Sequence, residues 1–526
     1  MLRFCTAFTA FHVTALLAGV AACVPPPSAS VSASHPVKRV RIVHTNDLHG
    51  RLLPQSADGR PAGGAALLAA HFDSAATRFA GPTLLVSAGD DMQGSMISTL
   101  SRGRATIEVM NAAGYDAAVF GNHEFAWGVD TLRTRVRESH FPWLAANVYR
   151  AGTMAHPDWV HPWVMIERGG VRTAIVGAAL ASTPRMVAQG RTAGLDFGPE
   201  APAIERAVRQ ARTAGADFVV LAMHVGAVCE TPGTAPEQTS AGCHGDALDI
   251  VRGLAEPVDL VLAGHTHARV LLRERVPVLE ALSYGTQYSV ADLERNEGAA
   301  RATHLSVRVA YADSVQPDAE VARVVGEWDA DVARLAARVV ATLAEPMADM
   351  SGGRTGEFSL GIVVAEAQRA TTGAQVAVVN NSAVRRALSA GAVTYGMLFE
   401  LQPFQNEMVR VELSGAQLRA VLENALAPAG QPDAQIAGMV VDYSPGAPAG
   451  SRIRAIWLAD GSAVTAETRV VLASTDFMVA SSRYPVLRGT AFVRLGVLDV
   501  EAVARYLGAL PQPVAPPVTG RWRAVP

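Results

Sequence analysis

Five short stretches hold the residue types best suited to binding metal. They are "HTNDLHG" with Asp47 and His49, "SAGDD" with Asp90, "FGNHE" with Asn122 and His123, "LAMH" with His224, and "LAGHTH" with His265 and His267. Each closes an apolar, β-rich run. In open α/β sheets ligands gather outside the carboxyl ends of the strands, so segments far apart in sequence can converge on one site. Residues i and i+2 of an extended segment point the same way, so Asp47 with His49, and His265 with His267, can each present two donors to one place. That spacing suits two adjacent ions. Carboxylate and imidazole donors without thiolates fit Zn, Mn or Co, and iron is compatible with the same set. A lone "GHTH" or "NH" is more often a capped turn or a surface histidine. Recurrence at successive strand ends is what argues for a site.

Charge indicates the substrate. Two divalent cations less two carboxylates and a bound hydroxide leave about +1, which attracts an anionic phosphate. Two metals roughly 3.5 to 4 Å apart acidify a bridging water and stabilise both the entering and the leaving oxygen of an in-line displacement. The expected chemistry is hydrolysis of a phosphate ester by attack of a metal-bound hydroxide.

The elements that must position these residues follow from pattern. From residue 37 to 315, the strand candidates "VRIVH", "TLLVSA", "AAVF", "WLAANV", "RTAIVGA", "FVVLAMH" and "DLVLAG" alternate with Ala-rich amphipathic stretches such as "EAPAIERAVRQARTAG". Such alternation predicts a layered α/β domain. Val321, Val324, Trp328, Val332, Leu335 and Val339 stand at helical spacing, which predicts a linker helix over 316–346. The strand and helix patterns then restart, which gives a second α/β domain over 347–526.

The 526-residue chain is 49% hydrophobic and 18% charged, enough to bury large cores. Its 45 basic and 48 acidic residues give a net charge of −3 with no basic run, which argues against a nucleic-acid polymer as partner. Residues 1–22 read as an export signal, and 23–36 as a Pro/Ser-rich tether. "LLAGVAAC" resembles a bacterial lipobox, in which Cys23 would carry lipid; plain signal cleavage and a retained anchor are the alternatives. The chain is therefore expected in the periplasm, or lipid-anchored to an envelope membrane and touching it nowhere else, since no later segment is apolar enough to span a bilayer. Cys229 and Cys243 are the only cysteines beyond the signal and tether. Either they are free thiols or they form a bridge, which closes a loop worth roughly 3 kcal/mol.

Taken together, "HTNDLHG", "GDDMQGS", "GNHEF", "MHVGA" and "AGHTHA" resemble the calcineurin-like metallophosphoesterase pattern. The C-terminal region is similar to the substrate domain of the 5′-nucleotidase, UDP-sugar hydrolase and 2′,3′-cyclic phosphodiesterase family. The resemblance implies a four-layer α/β/β/α domain joined by a helical linker to a smaller α/β domain. It also implies a monomeric enzyme acting on a nucleotide or another small phosphate ester. By that similarity Asp47, His49, Asp90 and His267 hold one ion, while Asp90, Asn122, His224 and His265 hold the other. His123 then faces the phosphoryl group as general acid or transition-state stabiliser. Arg354 and Arg385 correspond to phosphate-directed arginines, Asn380 to the asparagine of an Asn-x-Gly-Gly-Ile-Arg type segment, and Phe404 with Phe477 to an aromatic pair that sandwiches a base.

Two positions depart from the pattern. Ala126 stands where the family has an Asp paired with the catalytic histidine, so activity falls or the orienting role moves elsewhere. Arg483 replaces an Asp that holds ribose hydroxyls, which makes a more anionic substrate conceivable. Two other readings are a thiosulfohydrolase of the same two-domain plan and a surface lipoprotein that binds nucleotide or a partner without turnover.

Overall fold

The computed structural model describes residues 37–187, 190–229, 242–273, 275–296, 298–348 and 355–526. The leader, the tether, Cys23 and Arg354 lie outside the described residues.

The strand Lys38–Thr45 shows how the first domain is layered. Val40 and Ile42 point into one apolar cluster, and Val43, one step out of phase, into another. The first cluster lies between two six-stranded sheets. One runs Arg301–Val309, Gln287–Arg295, Lys38–Thr45, Thr83–Ser87, Ala117–Val119, Trp143–Leu144. The other runs Arg269–Leu272, Val278–Ala281, Leu260–Leu262, Phe218–Met223, Val171–Ala178, Trp163–Arg168. Ile42 and Val86 from the first sheet share that cluster with Ile175, Val220 and Leu262 from the second. The outer face of the first sheet packs on helices Ala65–Thr77, Arg104–Ala112 and Val129–Glu138 through Phe72, Ile107 and Leu132. That of the second packs on Glu200–Thr213 and Asp246–Gly253 through Ile204, Val208 and Leu248. The result is four layers, α/β/β/α. All seven strand candidates fall on observed strands.

The linker helix is shorter than its periodicity predicts. It spans Ala319–Ala336, with Asp318 accepting from the Val321 amide at 2.8 Å. Val321, Val324 and Val325 pack on Leu52, Ala65 and Ile97. Residues 316–346 are therefore not one helix, because Val339–Leu343 is a strand paired antiparallel with Gly391–Thr394. The β-branched pair Val339 and Val340 suits that pairing, which overrides the helical spacing.

Beyond it lies a smaller α/β domain. Its main sheet is ordered Ala434–Ala437, Val376–Asn380, Arg469–Thr475, Glu407–Ser414, Phe492–Leu498. Helices Ser359–Thr372 and Asp499–Ala509 cover one face, and Gly415–Asn424, begun by a Ser414–Gln417 capping box, packs on the other. The two domains touch directly. Met96 enters the C-terminal core, and Arg51 meets Glu400 at 2.5 Å. Among the described residues no helix is long and apolar enough to cross a membrane.

Candidate metal centre

The donors leave their strands in tight turns. Asp47 follows the strand ending at Thr45, Asp90 the one ending at Ser87, Asn122 the one ending at Val119, His224 the one ending at Met223, and His265 the one ending at Leu262. Asp47, His49, Asp90, His265 and His267 all have left-handed φ, between 48° and 83°. The donor pairs two residues apart therefore converge for a reason other than the alternation of an extended chain: successive left-handed turns fold each pair inward. Non-glycine residues held there carry strain of about 1–3 kcal/mol each, and such strain collects at functional sites. Glycine completes the packing, since a Cβ on Gly121 would sit 2.1 Å from Asp90 Oδ1.

Asp47, His49 and His267 form one cluster, Asp90, His224 and His265 another, and His49, Asp90 and His123 a third that bridges them. His49 Nε2 lies 3.0 Å from His267 Nε2, His267 Nε2 lies 3.3 Å from Asp47 Oδ1, and His224 Nε2 lies 3.1 Å from Asp90 Oδ2. His49 Nδ1 is 3.0 Å from the Gln93 carbonyl and His224 Nδ1 is 2.9 Å from that of Ala88. A carbonyl only accepts, so both Nδ1 atoms carry a proton, and in the neutral rings both Nε2 atoms present lone pairs. Against its burial, the Asp90 carboxylate draws His224 up to about 10, so that spot attracts positive charge, whether a proton or a metal ion. Asp47 Oδ1, Asn122 Oδ1 and His224 Nε2 are buried and make no hydrogen bond. Lone pairs held this close repel unless a cation lies between them. A tetrahedral ion with ligand bonds of about 2.0–2.1 Å would set its donors roughly 3.3 Å apart. The donor set fits divalent metal. Burial pushes His49 well below its ordinary range and His265 to about 4, which keeps both neutral and able to bind. Burial works against ionising Asp90, but His224 and His123 beside it hold its carboxyl well down.

Residues 40–269 match the calcineurin-like phosphoesterase family, and residues 339–488 match the 5′-nucleotidase C-terminal domain. The chain belongs to the 5′-nucleotidase family of metallophosphoesterases. The endonuclease YhcR of Bacillus subtilis is 25% identical over 516 residues, 92% of this chain, but the chain spans only 40% of its length. The 5′-nucleotidase precursor of Thermus thermophilus superposes with a TM-score of 0.81 at 22% identity, covering 93% of this chain and 99% of that one. The sulfate thiohydrolase SoxB of Thermus thermophilus shares the fold at a TM-score of 0.74 and 20% identity, covering 92% and 96%.

In this member of the 5′-nucleotidase family the residues supporting the donors went unassigned in the sequence. Glu124 is buried, and four backbone N–H groups donate to it: Asp90 and Gly121 to Oε2 at 2.9 and 2.7 Å, Asp91 and Met92 to Oε1 at 2.9 and 3.1 Å. One carboxylate thereby ties the Asp90 loop to the Asn122 loop. Burial, reinforced by Asp90 and Asp91, pushes it up to about 8, and the four donors are what favour its ionised form. Glu280 does similar work for the "GHTH" turn, accepting from Thr266 Oγ1 at 2.7 Å and the Ala268 amide at 3.2 Å. Asn46 donates to Asp47 Oδ2 at 2.8 Å. A side chain whose partners are backbone groups leaves no spacing signal; only the presence of Glu124 inside "GNHEF" could have flagged it.

The second domain brings part of its nominated set to the centre. The Phe404 ring lies 6.0 Å from that of His123, and the Arg385 guanidinium 5.9 Å from the Phe404 ring. Asn380 donates to Ser382 Oγ at 2.6 Å, within its own turn. Phe477 is partly buried against the C-terminal core, and no ring contact joins it to Phe404 among the described residues. Arg483 is bound within its own domain, 2.7 Å from Asp433 Oδ2 and 2.9 Å from the Asn424 carbonyl. That pairing engages two of its nitrogens within the domain. Cys229 and Cys243 are joined in a disulfide between two short strands; residues 230–241 lie outside the described set.

Proposed function

We propose that this chain is an exported, dinuclear-metal phosphoesterase that hydrolyses small phosphate esters, nucleotides foremost. The observation that carries the reading is the convergence of unpartnered, buried Asp47 Oδ1, Asn122 Oδ1 and His224 Nε2 around Asp90. Asp47, His49, Asp90 and His267 would hold one divalent ion and Asp90, Asn122, His224 and His265 the other, with Zn, Mn or Co suiting the donors. Such ions supply acidified water and neutralise phosphoryl charge. The chain's own groups do the rest. His123 faces the reacting phosphoryl group, Arg385 pairs with its oxygens, and Phe404 offers a flat surface to a base, which stacking accepts without reading its edges. Arg354, Asn380 and Phe477 complete the proposed pocket. The Cys229–Cys243 bond supports export, because disulfides persist in oxidising compartments. Lipid attachment at Cys23 belongs to the same proposal.

The test is a panel of nucleoside monophosphates, cyclic nucleotides, nucleotide sugars, a short oligonucleotide and a thiosulfonate, assayed with Mn, Zn or Co. At least one phosphate ester is turned over, and Asp90→Ala reduces it to background. Stoichiometric metal with no ester cleaved sinks the reading, and turnover of the thiosulfonate alone replaces it.

A further inference from the structure

His123 begins a short 3-10 turn, His123–Trp127, in which Ala126 lies one turn on. Side chains three apart eclipse in such a turn, so a carboxylate at 126 would stand beside the imidazole. Alanine offers nothing there, yet the ring is not unheld. Gln93 Oε1 closes on His123 Nδ1 in a short contact. The same residue's backbone carbonyl is 3.0 Å from His49 Nδ1. Gln93 is buried and has a left-handed φ of 51°. Burying an amide in an unfavourable backbone conformation is costly unless its groups are used. Here one residue orients two imidazoles, His49 through its carbonyl and His123 through its side chain.

We propose that Gln93 is the positioning residue for His123, taking over from the "GDDMQGS" turn the role that the family pattern gives to a carboxylate at position 126. The proposal deepens the phosphoesterase reading and rests on it. An amide fixes the direction of the ring and its tautomer as a carboxylate does, but adds no negative charge. With Oε1 accepting from Nδ1–H, Nε2 is left on the side of the donor cluster, 3.9 Å from Asp90 Oδ2.

The experiment uses the full-length, zinc-loaded protein in four forms: native, Gln93→Ala, Ala126→Asp and the double variant. On an aryl phosphate, Gln93→Ala should lower kcat about 10–100-fold while KM and bound zinc stay within about twofold. Adding Ala126→Asp to Gln93→Ala should restore at least fivefold of that loss, because the new carboxylate reaches the same Nδ1; a merely structural defect would not be rescued. Gln93→Asn tolerates the left-handed backbone but falls one methylene short, so it should behave like Gln93→Ala and guards against misfolding. An undiminished kcat in both Gln93 variants, or an equal loss in the double variant, overturns the proposal. A second readout needs no turnover. In 15N-histidine spectra, with His123 assigned by the signal lost in His123→Asn, the native protein should show one tautomer and Gln93→Ala a mixture. Identical His123 signals in the two overturn the proposal even if no ester is ever cleaved, and absence of turnover in the native protein counts against the phosphoesterase reading alone.

Discussion

The candidate metal centre and the C-terminal face that meets it are built on different terms. At the centre, Asp47, His49, Asp90, Asn122 and His224 are buried, and the surrounding turns, including the one that carries His265 and His267, are pinned by Glu124, Glu280 and Asn46 through backbone groups. On the C-terminal face, Asn380, Arg385, Phe404 and Phe477 are only partly buried. Asn380 bonds locally, and only Arg385 and Phe404 are seen to reach the centre. On the proposed function, the difference is between donors held in place before anything binds and side chains that would gain most of their partners from a ligand. Preorganised donors stabilise developing charge without reorganising during the reaction, whereas adaptable contacts set which ester is accepted.

The sharpest way to break this comparison is Glu124→Gln. An amide matches the carboxylate in size but turns an N–H toward two of the four backbone donors. If prior pinning is what holds the donors, metal affinity should fall by about 10–100-fold, measured by competition with a chromophoric chelator. Unchanged affinity would mean that the turns hold themselves and that the left-handed residues need no such tie.

Arg385→Ala and Phe404→Ala probe the other side. Loss of a charged hydrogen bond worth about 1.5 kcal/mol or more should raise KM for a nucleoside monophosphate roughly tenfold in Arg385→Ala. Loss of about 1 kcal/mol of stacking should raise it roughly fivefold in Phe404→Ala, and only for substrates that carry a base. Both variants should keep native metal content. If either loses metal, the two regions are coupled and the distinction between them fails.

The same contrast governs what the sequence reveals. Strand ends and donor types are local properties, so the succession of strands, the layered fold and the gathering of Asp47, His49, Asp90, His123, His224, His265 and His267 at the strand ends were legible in it. Their left-handed backbones were not, because φ in those turns is imposed by contacts across the sheet ends, such as the Asp47 amide to the Gly89 carbonyl at 2.9 Å. Gln93 and Glu124 sat inside quoted motifs without a role, since the partner of one is 30 residues away and those of the other are backbone. The helical spacing through Val339 was a real periodicity that strand pairing with Gly391–Thr394 overrode. The pairing of Arg483 was hidden for a related reason: its partner Asp433 lies 50 positions back, and an arginine read without its acceptor looks free.

Arg483→Ala gives the smallest expected effect and separates the two regions most finely. The Arg483–Asp433 pair is about a third exposed on both sides, 36% and 31%, where such pairs contribute up to about 1 kcal/mol. Unfolding in denaturant should therefore register a loss no larger than that. The ratio of kcat/KM for a nucleoside monophosphate to that for its more highly charged diphosphate should stay within about twofold of native, because the arginine already spends its Nε and one Nη on the Asn424 carbonyl and Asp433. A selective tenfold loss on the diphosphate would show that the ion pair opens to substrate. Arg483 would then belong to the adaptable set with Arg385, and the C-terminal domain would read substrate charge through an arginine that is internally paired until the substrate arrives.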